Sequence, residues 1–351
     1  MASLTETAYH TRRAINWAIL ALIAYIVLRI FFSIASAVWL AVFPPKPPPP
    51  THAFGKLPAV KFPSPVASPS GQLTFRLETI EGAVPHASDA AAVYFMPKAA
   101  ANLLAITRAQ DFATRLGLSS VPIQETKNLY RFEDPEFSLR RMRYDIVSNN
   151  FILRYAFEQD AGLFTQRNLP LVTAATAEAR SMLQTFDLYK EDFAQGTVKE
   201  SFLRLQGAQF ITTTSLSVAD ALRISFFRAP LGDTAIVTPN PDEGPVVFVF
   251  SGSNESKKRI LQFAYTYWPI DLTNSATYSL KTSDQAWQEL QAGGGYIARY
   301  PTAATAAVVR TARLAYYDSY EPQTYLQPVF IFEGDEGFMG YVPAVASEWT
   351  E

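Results

Sequence analysis

The 351-residue chain has no cysteine and only three histidines, His10, His52 and His86. Without cysteine there is no disulfide, no thiol nucleophile and no cysteine-ligated metal. The histidines all lie near the N-terminus, so the body of the chain offers no partner for a Ser–His triad and no multi-histidine zinc site. Ser251-Gly252-Ser253 therefore has no histidine to activate it. An excess of one charge is missing too. Thirty Lys and Arg face 32 Asp and Glu, and a net charge of −2 argues against a nucleic-acid partner. No cofactor motif is present. The folded part must stand on its core alone, and a chain that is 48% hydrophobic can build a sizeable one.

What the chain does have is one long apolar run, Ala14 to Phe43. A bilayer core of about 30 Å needs roughly 20 apolar residues in a helix. Arg12 and Arg13 precede the run, and prolines with Lys46 follow it. Positive charge collects on the cytoplasmic side. Residues 1–13 are thus expected as a cytoplasmic tail, 14–43 as a single transmembrane helix, and the rest as extracytoplasmic at the cell membrane. A cleaved signal peptide is the alternative, because Ala35-Ser36-Ala37 fits a small-x-small site. The run continues apolar to Phe43, however, which favours a retained anchor. Arg29, inside the run, either meets an acidic group on a partner membrane helix or snorkels to a headgroup region.

Residues 44–70 are dense in proline (Pro44, Pro45, Pro47 to Pro50, Pro58, Pro63, Pro65, Pro69) and are expected as a semi-rigid polyproline spacer. Beyond Gly71 the periodicity alternates between helix and strand. Helices are expected at Ala99–Leu116, with stripe Ala105, Ala109, Phe112, Leu116, and at Ala174–Phe186, with stripe Ala175, Ala179, Met182, Phe186. A third begins after Thr282 or Ser283, carries Ala286, Trp287 and Leu290, and stops at Gly293-Gly294-Gly295. Antiparallel strands follow each helix, with Asn149-Asn150 as a hairpin turn. The expectation is α+β: a degenerate helix-plus-sheet repeat, with one region over 71–210 and a second over 211–351.

Few residues point to chemistry. Glu333, Asp335 and Glu336 read as a solvated hairpin loop rather than a calcium site. Asp318 and Glu321 are a weak candidate pair for glycoside cleavage. Tyr265 and Tyr267, with Tyr316 and Tyr317, form an aromatic-rich set that either binds sugar or peptide or fills a sheet core.

The segment from Tyr278 to Ile297, with its T-x-x-x-A-W-x-x-L-x-x-G-x-G pattern, is followed by Val309–Tyr317 and Tyr325–Gly334. This order, within residues 276–345, resembles the C-terminal portion of the YycH/YycI family and the related PepSY-like modules. The resemblance implies a single-pass protein whose outer domain regulates a membrane sensor kinase, and it carries no transferable functional residue. The expected function is a non-enzymatic regulatory or interaction protein of the envelope with a membrane or envelope protein partner. A wall glycan- or peptide-binding module is the alternative, with a carboxylate-dependent hydrolase behind it.

Overall fold

A computed structural model of the protein describes residues 4–42, 49–64, 73–100, 102–160, 162–165, 168–302 and 306–351; within the N-terminal helix, side chains are described at Arg13 and over 16–36. Gly71 and most of the proline run lie outside the described residues. The chain divides into two compact units, residues 1–49 and 50–351.

The first unit is one helix, α1 (Leu4–Val42). Its stretch Asn16–Ser36, 21 residues, is long and apolar enough to cross a membrane. A retained anchor and a signal sequence both satisfy that test.

The second unit is mostly sheet. In chain order it holds β1 (Thr74–Leu77), β2 (Ala90–Phe95), α2 (Ala105–Arg115), β3 (Ile123–Gln124), β4 (Leu129–Glu133), β5 (Arg140–Asp145), β6 (Phe151–Tyr155), α3 (Val172–Thr185), α4 (Glu191–Ala194), β7 (Val198–Gln206), β8 (Gln209–Thr213) and β9 (Ala221–Phe226). Then come β10 (Ile236–Val237), β11 (Val246–Ser251), α5 (Ser256–Arg259), β12 (Ile260–Tyr265), β13 (Asp271–Ser279), α6 (Ser283–Gln291), β14 (Tyr296–Arg299), β15 (Ala306–Tyr317), β16 (Tyr325–Gly334) and β17 (Met339–Pro343). The mixed α+β class expected from the pattern is what forms. The threefold repeat does not organise it, because α2 and α3 cover the same sheet. Nor does the chain divide at 210, which falls inside β8.

Nine strands form one antiparallel sheet in the order β3-β4-β5-β6-β12-β11-β9-β7-β8. Strands β9 and β11 are buried at every position, and the one charge they carry, Arg223, is paired with Glu243. One face packs under α2 and α3. Ala105, Ala109 and Ala113, then Ala175, Ala179 and Leu183, are the buried stripes. Alanines let the helices lie close over Phe132, Phe151, Phe226, Phe248 and Phe263, and Phe248 stacks on Phe263 at 4.1 Å. Met182 and Phe186, expected as the second stripe's end, are only half-buried, and Leu183 takes the inner place.

The other eight strands run β1-β15-β16-β17-β14, with β10 beside β15 and with β2 joining β16 and β13. Helix α6 covers this sheet. Its start is fixed by a capping box: the Gln285 amide donates to Thr282 Oγ1, and the Thr282 amide donates to Gln285 Oε1. Gly293 ends it with a φ of +81°, which favours glycine at that step. Trp287 lies between Phe75 and Phe332, and Leu290 is buried beside it.

The spacer expectation fails over residues 50–64. This stretch is packed against the eight-stranded sheet as a strap. His52 stacks on Trp349 at 3.8 Å, Phe54 on Tyr325 at 4.9 Å, and Phe62 on Tyr296 at 5.3 Å, while Leu57 is wholly buried. The Leu57 amide donates to Trp349 O at 2.8 Å, the Glu351 amide to Leu57 O at 2.9 Å, and Gln327 Nε2 to Pro58 O at 2.8 Å. Proline pre-sets an extended backbone, so docking costs little chain entropy. The apolar residues between the prolines supply the grip.

Two outcomes follow. Trp→Ala in a core costs about 3–5 kcal/mol, so Trp287→Ala should lower the melting temperature sharply, whereas Gln288→Ala, exposed one residue on, should leave it unchanged. An equal melting curve for both would place Trp287 outside the core. Burying a leucine or phenylalanine is worth roughly 1.5–3 kcal/mol each. A soluble variant starting at Pro50 should therefore melt cooperatively, and one starting at Gly71 should melt well below it. Coincident curves for the two would show the strap to be idle.

Candidate functional site

Strands β4, β5, β6, β12 and β11 alternate strictly. Phe132, Met142, Tyr144, Phe151, Leu153 and Phe263 point to the helices. The intervening positions, Arg131, Arg141, Arg143, Ile152, Arg154, Gln262, Ala264 and Val247, form the opposite face. Part of that face is covered by Phe157, Leu163 and Phe164, with Phe157 and Phe164 packed on Phe210. Over β9 and β11 it is buried too, and it lies open over β4, β5, β6 and the adjoining part of β12.

The open part holds a cleft of about 490 Å³. Its floor is apolar, made by Leu129, Ile152, Val247 and Ala264, with Pro245 and Pro322 at the side. Asn150, Glu243, Trp268 and Tyr320 give it polar groups. Two of these residues keep a buried donor, Asn150 Nδ2 and Trp268 Nε1, without a hydrogen-bond partner among the described residues. A buried donor left unpaired is costly. The cleft runs into a groove of about 360 Å³ lined by Arg131, Arg141, Arg143 and Arg154, with Arg143 and Ile152 common to both.

The expected aromatic set does not form one surface. Tyr316 and Tyr317 are buried in the eight-stranded sheet, Tyr316 edge-on to Tyr94 at 5.5 Å and Tyr317 edge-on to Phe62 at 4.9 Å. Burial pushes both phenols up from their ordinary pKa. Tyr265 and Tyr267 lie elsewhere, on the helix side of the nine-stranded sheet. They line a separate cleft of about 480 Å³ with Phe112, Phe186, Arg108 and Lys190. Tyr265 is itself buried, and burial raises its phenol strongly; Tyr144 beside it is pushed up to about 12 by burial.

The acid pair expected at Asp318 and Glu321 does not converge: Asp318 is buried and Glu321 is exposed. Asp318 instead closes a charged seam between the two sheets. Arg228, whose side chain is wholly buried, has Nε 3.3 Å from Asp318 Oδ2 and 3.4 Å from Asp192 Oδ2. It also donates to Trp268 O and lies 4.5 Å over the Tyr267 ring. At the β15–β16 end, Arg310 of β15 pairs with Asp335 in the turn and Arg313 pairs across the strands with Glu333, and all four side chains reach solvent. Ser251 Oγ donates to Lys258 O. Among the described residues, no group of three or more His, Asp or Glu could hold a metal. Arg29 lies exposed within the apolar stretch of α1.

The arginine face went unread in the sequence. Its signal was present in RRMRYD (140–145) and FILRY (151–155), where the polar phase of each strand is arginine rather than threonine or serine.

No family model matches the chain, and no curated protein matches it. Among solved structures it is similar to an uncharacterized protein from Eubacterium rectale ATCC 33656, with 10% identity and a TM-score of 0.37 over 72% of this chain and 82% of that one. A likeness of that size says nothing about function, and none of these comparisons bears on the YycH/YycI resemblance.

The seam predicts a pH dependence. Burial, opposed by Arg228 and reinforced by Asp192, holds the Asp318 carboxyl above the usual carboxylate range. The unfolded chain releases that proton near its ordinary value of about 4. Stability from this group is thus present below that value and is lost as pH rises through the folded-state value. Asp318→Asn has no proton to lose. Its melting temperature should fall less than the parent's as pH rises above about 4. Parallel profiles would mean that Asp318 is ionised at no cost.

Proposed function

We propose that this chain is a non-enzymatic interaction protein of the cell envelope. In this reading α1 is a retained single-pass anchor with its N-terminus in the cytoplasm, and the sheet domain takes a partner on the open face of its nine-stranded sheet. The observation that carries it is the 490 Å³ cleft on that face, whose apolar floor is edged by residues with unpaired buried donors. Concave, mostly apolar sites with a few placed polar groups are where ligands bind. The regulatory role implied by the YycH/YycI resemblance is the specific form of this proposal: control of a sensor kinase across the membrane, with Arg29 meeting an acidic group on the kinase's helix. A glycan-binding role would instead use the helix-side cleft, where Tyr265 and Tyr267 supply aromatic surface.

The absence of cysteine provides the test. Ile152→Cys places a single thiol on the cleft floor. A membrane-impermeant maleimide should label it in intact spheroplasts, and the bulky adduct should abolish crosslinking to the co-purifying membrane partner. The same adduct at Leu272→Cys, exposed on the other sheet, should leave crosslinking intact. Protection of the thiol in intact spheroplasts would reverse the orientation, and crosslinking unaffected by the adduct would remove the open face from the function.

A further inference from the structure

The arginine groove next to the cleft is built against the stability of its own sheet. In the β4–β5 register Arg131 stands directly opposite Arg143, and in the β5–β6 register Arg141 stands directly opposite Arg154. Like charges in directly opposed cross-strand positions destabilise a sheet. Glutamates offset this only in part. Glu125 bridges Arg131 at 3.4 Å and Arg143 at 2.9 Å, Glu133 reaches Arg131 at 3.3 Å, and Glu158 pairs with Arg154. Arg141, half-buried in the groove with Glu133 opposite it on β4 and Arg154 opposite it on β6, makes no hydrogen bond or ion pair among the described residues. A protein that tolerates two repelling pairs on one open face, and leaves a guanidinium unpaired among them, has a use for the positive charge.

We infer that this groove and the adjoining cleft together bind an extended acidic segment of a partner protein, its carboxylates on the arginines and its apolar side chains on the Ile152 floor. This rests on the reading of the open face as the interaction site. Two features select a peptide. Arg141 and Arg143 are alternate residues of one strand, about 6.8 Å apart, which is the spacing of alternate side chains along an extended chain. The arginine groove also adjoins an apolar floor, sharing Arg143 and Ile152 with it. A uniform polyanion would leave that floor empty, whereas a peptide with an acidic half and an apolar half covers both. Guanidinium–carboxylate forks are among the stronger charge-assisted contacts.

The probe is a fluorescein-labelled peptide with glutamates at alternate positions in one half and leucines in the other, titrated onto the full chain in detergent. Binding should weaken as salt rises. Replacing the glutamates by glutamines, or Arg141→Thr, should each weaken it on the order of tenfold or more. Arg108→Thr, at the helix-side cleft, should not change it. Arg141→Thr should leave the melting temperature within about 3 °C of the parent's, because it removes a repelling pair with Arg154 and an opposite-charge pair with Glu133 together. A melting temperature so little changed shows the variant to be folded, so loss of binding cannot come from loss of structure. Equal binding of the glutamate and glutamine peptides would overturn the inference while leaving the cleft as an interaction site. Failure of either peptide to bind, together with crosslinking unaffected by the Ile152→Cys adduct, would overturn both. Polyphosphate binding as tightly as the peptide, and as dependent on Arg141, would overturn the choice of a peptide.

Discussion

A guanidinium with no route to solvent, that of Arg228, joins the two sheets of this domain. A charge so placed must be matched inside the protein, since an unpaired buried charge costs several kcal/mol. Asp192 reaches it from α4, Asp318 from the end of β15, Trp268 offers a carbonyl and Tyr267 a ring face. These groups come from both sheets and from the segment that links them, so their positions are mutually fixed. Around them an apolar patch, Met96, Ile236, Tyr316 and Leu326, seals the seam. The arrangement is specific rather than strong. Several of its polar atoms, including Asp318 Oδ1 and Arg228 Nη1, have no hydrogen-bond partner among the described residues.

The open face owes its existence to how the helices are shared. Both long helices of the first half pack on the same side of the nine-stranded sheet. The far side is covered over β9 and β11 and left bare over the outer strands β4, β5 and β6. The rest must be tolerable in water, and the chain solves this with long charged side chains on the outer strands and an apolar floor nearer the centre. Arginine suits such a place because its stem can lie along apolar surface while its head stays wet.

Much of the fold was legible because apolar period is a physical requirement of burial. The start of α6 after Thr282, the hairpin at Asn149, which adopts a left-handed φ of +61°, and Ala105 and Ala109 of α2 stand where the pattern puts them, although α2 begins at Ala105 rather than Ala99 and Ala113 rather than Phe112 takes the inner place. What escaped had no apolar period to read. Strand β13 is a polar run, DLTNSATYS, that becomes a strand because β2 needs a partner. Strand β8 is held by its hairpin with β7. Residues 50–64 depart from the spacer expectation because Leu57 and Phe62, between the prolines, pack into apolar clusters of the eight-stranded sheet. The site was less legible than the fold. Aromatic content points to Tyr316 and Tyr317, which are core, while the arginines of β5 and β6 show in the sequence only as the polar phase of each strand.

The strap has a mechanical side. Its hydrogen bonds to residues 349 and 351 lie at the C-terminal edge of the domain, and its rings are stacked on side chains that the eight-stranded sheet holds in place. Tension arriving along the chain from residue 50 would therefore load His52, Phe54 and Leu57 one after another, before it reached any strand of the nine-stranded sheet. The strap would peel contact by contact and act as a fuse, lengthening the chain under load while the nine-stranded sheet stayed folded.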